Sequence, residues 1–202
     1  MIDDFVAPGD PERTAGVLAL IRERAEVPGL RVLDLACRTG AFSIALAEAG
    51  ADVLGIEGRP ENLDRIPAST ARYELGDVRD LSAERHGTHD VTLCLGILYH
   101  LDIMDAIGLL RAMREVTTGF AIIDTHIGAP LDTVMVEGRI FHGHWYGEPP
   151  GLWSSIGNPS SWWFTPDSLD DAIRVAGWAT VERVPNVPWP GEPAGRQWRV
   201  IS

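Results

Sequence analysis

The stretch Arg31 to Gly58, RVLDLACRTGAFSIALAEAGADVLGIEG, limits the fold more than any other part of the chain. It opens with a short apolar run, Val32 to Leu35, of the kind a fully buried strand needs. A turn follows at Ala36-Cys37-Arg38-Thr39-Gly40. The next segment has helical spacing, with Phe42, Ile44, Ala45, Leu46 and Ala49 apolar and Gly50 where a C-cap belongs. A second buried run, Val53 to Ile56, ends on the acid Glu57. The stretch is a strand–turn–helix–strand unit.

The rest of the chain repeats this rhythm. Residues 12 to 26 suit a helix with Val17, Leu18, Leu20 and Ile21 on one side, broken by Pro28-Gly29. A helix over 59 to 66 starts at Pro60, and Arg72 to Leu75 reads as a third strand. Asp90 to Leu95 is a fourth strand, and Asp102 caps a helix that runs to about Val116. Phe120 to Ile123 is a fifth strand. Thr165-Pro166 opens a last helix, which ends at Gly177. Trp178 to Val184 and Gln197 to Ile201 read as a closing hairpin. Such alternation predicts an α/β fold: a doubly wound, Rossmann-like sheet of seven strands, mostly parallel with an antiparallel last strand, and helices on both faces. Ligands bind such sheets at the carboxyl ends of the strands, where Glu57, Asp77, Gly96 and Asp124 all fall. An acid ending the second strand, as Glu57 does, lies where a nucleotide-binding fold grips a ribose.

The chain of 202 residues suits one domain, 1–202, interrupted at about 128–164 by an insertion rich in Gly, Pro, Ser and Trp. A stretch this long without a helical or strand rhythm is expected to be a lid or binding loop. A net charge of −12 argues against a nucleic-acid partner. No apolar run reaches the roughly 18 residues a membrane span needs, and the acidic N-terminus does not read as a signal peptide. Cys37 and Cys94, both in or beside buried strands, are expected to be reduced thiols in a cytoplasmic protein. All seventeen basic residues are arginine, which excludes a Schiff-base lysine and a lysine-bearing phosphate loop.

Four segments in order resemble the motifs of class I S-adenosylmethionine-dependent methyltransferases of the small-molecule type: VLDLACRTG, IEGRPENL, GDVRDL and LCLGILYHL. SWWFTPDSLDDAIRVAGWATVERV is similar to that family's closing helix and strand. The resemblance implies the cofactor S-adenosyl-L-methionine and a cofactor site built from Asp34, Ala36, Cys37, Gly40, Glu57, Gly58, Asp77, Val78, Leu95 and Gly96. In it Glu57 holds the ribose hydroxyls, Asp77 meets the adenine amino group and Val78 its ring. Asp34 helps orient the sulfonium or amino end. The family usually carries glycine where Ala36 and Arg38 stand. Alanine costs little there if its φ is negative, and Arg38 is expected to point to solvent or, alternatively, to recognise an acidic substrate group.

The implied reaction is methyl transfer to the oxygen or nitrogen of a small organic acceptor, and the arginine, alanine, glycine and proline richness suggests bacterial secondary metabolism. A homodimer is left open. The base for such a step is sought first in His126 and then in His100, each just beyond a buried strand. Tyr99, Asp124, His142, His144, Trp145 and Trp163 are the expected substrate-side residues. The aromatic set of the insertion, which adds Tyr146, Trp153, Trp162 and Phe164, either packs over the sheet or lines a pocket for a flat substrate. A metal held by His142, His144 and Asp124 or His126 matches no familiar ligand spacing, and none is expected. Two rivals stay open. One is a nicotinamide-dependent oxidoreductase, which Glu57 fits and the missing G-x-G-x-x-G does not. The other is a protein that binds the cofactor, or an enzyme that uses it for a different reaction, without transferring its methyl group.

Overall fold

The computed structural model describes residues 11–148, 151, 155–184 and 195–202. Trp153 of the expected aromatic set lies outside these residues. In chain order the elements are α1 (Pro11–Arg22), β1 (Arg31–Leu35), α2 (Ala41–Glu48), β2 (Asp52–Glu57), α3 (Pro60–Leu63), β3 (Arg72–Leu75), α4 (Ala83–His86), β4 (His89–Leu95), α5 (Ile103–Val116) and β5 (Thr117–His126). They continue as β6 (Asp132–Val136), β7 (Arg139–Gly147), β8 (Ser160–Phe164), α6 (Pro166–Val175), β9 (Val181–Val184) and β10 (Arg196–Ile201). Short 3-10 helices cover Val78–Asp80 and Leu98–His100.

Seven strands form one sheet in the order β3-β2-β1-β4-β5-β10-β9. The first five pair in parallel, while β10 lies between β5 and β9 and is antiparallel to both. This is the expected architecture. Alternate residues of the strands feed two cores. Leu33, Leu35, Ile56, Cys94 and Ile123 pack beneath α5 and α6. Val32, Val53, Leu93, Ile122 and Trp198 pack against Val17 and Ile21 of α1 and Leu46 of α2. Both sheet faces are therefore dry, which is why β1 and β4 read as continuous apolar runs rather than alternating ones.

The helix boundaries follow their caps. Asp102 accepts hydrogen bonds from the amides of Met104 and Asp105 at 2.8 and 2.9 Å, and Thr165 caps α6 ahead of Pro166. Along α5, Ile103, Ala106, Ile107, Leu110 and Met113 are buried at helical spacing. Both cysteines are free and buried. Among the described residues no helix is long and apolar enough to cross a membrane.

The insertion departs from the expected loop. β6, β7 and β8 form a three-stranded antiparallel sheet of their own. One of its faces carries Val134, Val136, Phe141, Trp162 and Phe164, which complete the core above α5 and α6. The period of two was present in the sequence, but glycine at the inward position 143 and apolar Met135 and Ile140 at outward positions hid it. Glycine at 143 is required by packing: a Cβ there would lie 2.3 Å from the Trp163 carbonyl oxygen.

Candidate functional site

The site lies at the carboxyl ends of β1, β2, β3, β4 and β5. The β1–α2 turn is more strained than its sequence suggests. Ala36 and Arg38 have φ of 53° and 55°, in the left-handed region, so the negative φ at which alanine would cost little is not the one adopted. Gly40 shares that conformation at 76°. The reversal from β1 into α2 imposes these angles, and hydrogen bonds hold them: Cys37 N donates to Ile56 O at 3.0 Å, and Gly40 N to Cys37 O at 2.8 Å. Arg38 does not point freely to solvent. It is half-buried, and burial pulls its guanidinium down to about 10 against the pull of Tyr99 and Glu57.

Glu57 ends β2 with its side chain turned into the structure. Its carboxylate accepts from Arg38 N at 2.9 Å, Arg59 N at 2.9 Å and Asn62 Nδ2 at 3.1 Å. It thus ties the β1–α2 turn to the start of α3. A carboxylate offers about four lone-pair positions, so room is left for roughly one further donor. Asp77, at the end of β3, is engaged by Arg79. Nε reaches Oδ1 and Oδ2 at 2.9 and 3.1 Å, and Nη2 reaches Oδ2 at 2.5 Å. These bonds hold the Asp77 carboxyl below its usual range in spite of burial.

A cavity opens beside these two acids, lined by Gly58, Gly76, Asp77, Val78, Arg79, Ile97, Leu101, Ser155 and Ile156. Its walls are mostly apolar, with the Asp77 carboxylate and its partner Arg79 at the rim, a lining suited to a flat heterocycle. Ile156 comes from the connection between β7 and β8 and packs onto Gly58, where a Cβ would meet Ile156 Cδ1 at 2.5 Å. Arg79 fastens that connection, donating to Ile156 O at 2.9 Å and Asn158 Oδ1 at 3.2 Å.

At the other end of the site, Leu95 is buried and Gly96 has φ of 98°. A Cβ on Gly96 would stand 3.1 Å from Arg196 Nη2. Asp124 was expected on the substrate side, but it is fully buried. Its Oδ2 takes an ion pair from Arg13 of α1 and another from Arg196 of β10, the latter at 2.9 Å. Asp34 is also buried and accepts from Ser43 Oγ at 2.6 Å. Burial raises its carboxyl to about 6, with the Ser43 bond and Arg13 opposing and Glu57 assisting.

Rings cluster beyond Gly96. His126 stacks on Trp163 at 4.8 Å and 13°, and Trp163 stacks in turn on Tyr146 at 4.7 Å and 18°. Tyr99 meets His126 edge-on at 4.4 Å. Arg196, directly opposite His126 in the β5–β10 register, lies over the Tyr99 ring at 5.4 Å. Burial and Arg196 push the His126 imidazole down to about 4. His100 lies under the same roof, its Nδ1 3.2 Å from both carboxylate oxygens of Glu148 at the end of β7. Burial lowers the His100 pKa while Glu148 pulls it up. The insertion also clamps the 3-10 turn that carries these residues: Trp163 Nε1 donates to Tyr99 O at 3.0 Å, and Asn158 Nδ2 to His100 O at 3.3 Å.

The structure thus brings together Tyr99, His100, His126 and Trp163, leaves His144 beside Trp163, and gives the remaining expected substrate residues partners of their own. Trp145 packs on Trp162, on the face of the small sheet opposite Trp163. His144 stands beside Trp163 across β7–β8 but bonds to Asp132 Oδ2 at 3.3 Å, and His142 bonds to Thr133. The histidines and Asp124 therefore do not converge as ligands of one ion. Arg13, Arg79, Glu148, Ile156 and Arg196 belong to the site without any sequence motif marking them, except Arg79, which falls inside GDVRDL.

A sequence model described as a methyltransferase domain matches residues 32–118. A ubiquinone biosynthesis O-methyltransferase of Xanthomonas campestris is 35% identical over 101 residues, 47% of this chain and 41% of that protein. One from Cereibacter sphaeroides is 31% identical over 164 residues, covering 77% of this chain and 62% of its own length. The chain thus spans about half the length of the curated relatives it matches. Among solved structures, the N-terminal domain of EvdMO1 with SAH bound superposes with a TM-score of 0.75 at 26% identity, covering 93% of this chain and 79% of that one. Sheet order, motif order and these similarities together support a class I S-adenosylmethionine-dependent methyltransferase.

Proposed function

We propose that the protein transfers the methyl group of S-adenosylmethionine to a hydroxyl oxygen of a small organic molecule, as a cytoplasmic tailoring enzyme of bacterial secondary metabolism. The observation that carries this reading is the division of the site into two unlike halves. The first half offers a mostly apolar cleft with the Asp77 carboxylate at its rim, beside the buried Glu57 at the end of β2. Those residues fit the adenosyl group: Val78, Ile97 and Ile156 for a flat ring, Asp77 for an amino group, Glu57 for a ribose hydroxyl. Gly96 and the buried Asp34 would take the methionine end. The bound cofactor would supply an electrophilic methyl group on a sulfonium sulfur.

The second half is the ring cluster of Tyr99, His100, His126 and Trp163. It would hold an acceptor against the methyl position and exclude water. Catalysis of this type rests mainly on positioning, with a base needed to take the hydroxyl proton. Acceptance of an oxygen nucleophile is supported by the imidazoles, which burial shifts toward the neutral, proton-accepting form. The names of the curated relatives, O-methyltransferases, agree with it.

The test is calorimetric titration with S-adenosylmethionine and, separately, with NAD, on wild type and Glu57→Gln. Wild type should bind the first and not the second. Glu57→Gln should weaken binding by about 1–3 kcal/mol, since an amide serves its present donors and the ribose less well. Binding of NAD alone, or equal affinity for S-adenosylmethionine in both proteins, would overturn the reading.

A further inference from the structure

We propose that Glu148 is the positioning residue of a His100–Glu148 dyad in which His100 is the base that takes the acceptor's proton. The inference rests on the methyltransferase reading above and extends it to a residue in the inserted sheet.

The geometry is specific. Both oxygens of Glu148 stand 3.2 Å from His100 Nδ1, and the Glu148 side chain is only 3% exposed. An ionised carboxylate is costly to bury, so its placement against an imidazole nitrogen calls for a reason. With Nδ1–H donating to the carboxylate, the Nε2 lone pair is left as the acceptor. Asn158 and Trp163 hold the backbone of the same turn, so the ring is set by three contacts from the insertion. Trp163 and Glu148 thereby connect the inserted sheet directly to the reacting end of the cleft.

His126, the first expectation, is less suited. Trp163 covers one face of its ring, Tyr99 abuts its edge, and Arg196 repels a proton from it. Among the described residues no carboxylate bonds to it. The charged and titratable groups around His100 are Glu148, Arg196, Tyr99 and His126. Glu148 is the member of that group that stabilises an imidazolium. In the proposed step the acceptor O–H proton moves to Nε2 as the oxygen forms its bond to the methyl carbon. The carbon–sulfur bond breaks with its electron pair left on sulfur, and Glu148 balances the new imidazolium charge.

Two measurements on the full chain decide it. The first is a nitrogen-detected NMR titration of the His100 ring in wild type, Glu148→Gln and Glu148→Asp, without any ligand. Wild type should show the Nδ1–H tautomer, and Glu148→Gln should lower the ring's pKa by roughly one unit, a tenfold change in proton affinity. The second is single-turnover methyl transfer with catechol as probe, from pH 5 to 9. The wild-type rate should rise with pH through the His100 titration and then level off. Glu148→Gln should lose on the order of 10²-fold, His100→Ala roughly 10²–10⁴-fold, and Glu148→Asp should recover part of the loss. Cofactor affinity should hold within about twofold throughout. An Nε2–H tautomer in wild type, or a Glu148→Gln protein matching wild type in both measurements, overturns the dyad. Failure of wild type to bind S-adenosylmethionine, or to methylate catechol while the tautomer is as expected, counts against the cofactor or acceptor reading instead.

Discussion

Replacing Asp34 by Asn should stabilise the folded protein, and more so at higher pH. Asp34 lies at the end of β1, 1% exposed, with Ser43 Oγ 2.6 Å away. Burial raises its carboxyl from 3.8 to about 6 in the folded chain. A raised carboxylate pKa means that the folded state holds the proton more tightly than the unfolded one. The associated stability is therefore fully present below pH 3.8 and is lost as pH rises through about 6. At about 1.4 kcal/mol per tenfold change in proton affinity, the full loss is ~3 kcal/mol. Roughly half of it has accrued at pH 5 and nearly all at pH 7.5. Asn has the same shape and no charge to desolvate, and it can still accept from Ser43. Urea unfolding of wild type and Asp34→Asn at both pH values isolates this residue, because every other titration is shared. The advantage of Asn should be larger at pH 7.5 than at pH 5 by about 1.4 kcal/mol. A difference under ~0.3 kcal/mol, or one of opposite sign, would show that Asp34 is not desolvated in this way. The same variant should bind a sulfonium cofactor less well, so that stability and cofactor affinity move in opposite directions.

Two further outcomes follow from the site's construction. Ala36→Gly should raise stability by about 0.5 kcal/mol, as relief of a left-handed alanine outweighs the greater freedom of glycine in the unfolded chain; thermal unfolding reads it, and a lowered midpoint would mean that the Cβ contributes packing that the turn needs. Asp124→Asn removes the carboxylate shared by Arg13 and Arg196 in a buried position and should cost about 3 kcal/mol in urea unfolding, a loss under 1 kcal/mol counting against the ion pairs as observed.

Much of this molecule is written locally. Asp102 and Thr165 start their helices through side-chain caps that any reader of the sequence can place. The insertion was harder. Its aromatic residues suggested a cover over the sheet, but Gly143 on the inward face and Met135 and Ile140 on the outward one hid a strand rhythm that becomes clear only once Phe141, Trp162 and Phe164 share one face. Ala36 shows a different limit. A left-handed alanine is uncommon and its residue type leaves φ open, so the angle was settled by the hydrogen bonds of the neighbouring loop.

By itself the sequence determined the alternation of strands and helices, the seven-stranded sheet, and the acids and glycines at the strand ends. These depend on periodicity, caps and turns, each decided by residues a few positions apart. Only the tertiary structure decided which distant side chains share the site. Arg13 reaches Asp124 across 111 positions, and Glu148 reaches His100 across 48. Arg196 faces His126 because of the register between β5 and β10, and a slip of one residue would turn it to the other face of the sheet. No local pattern specifies such a meeting, because it is fixed by how the packed elements align and not by the residues that surround each partner in the chain.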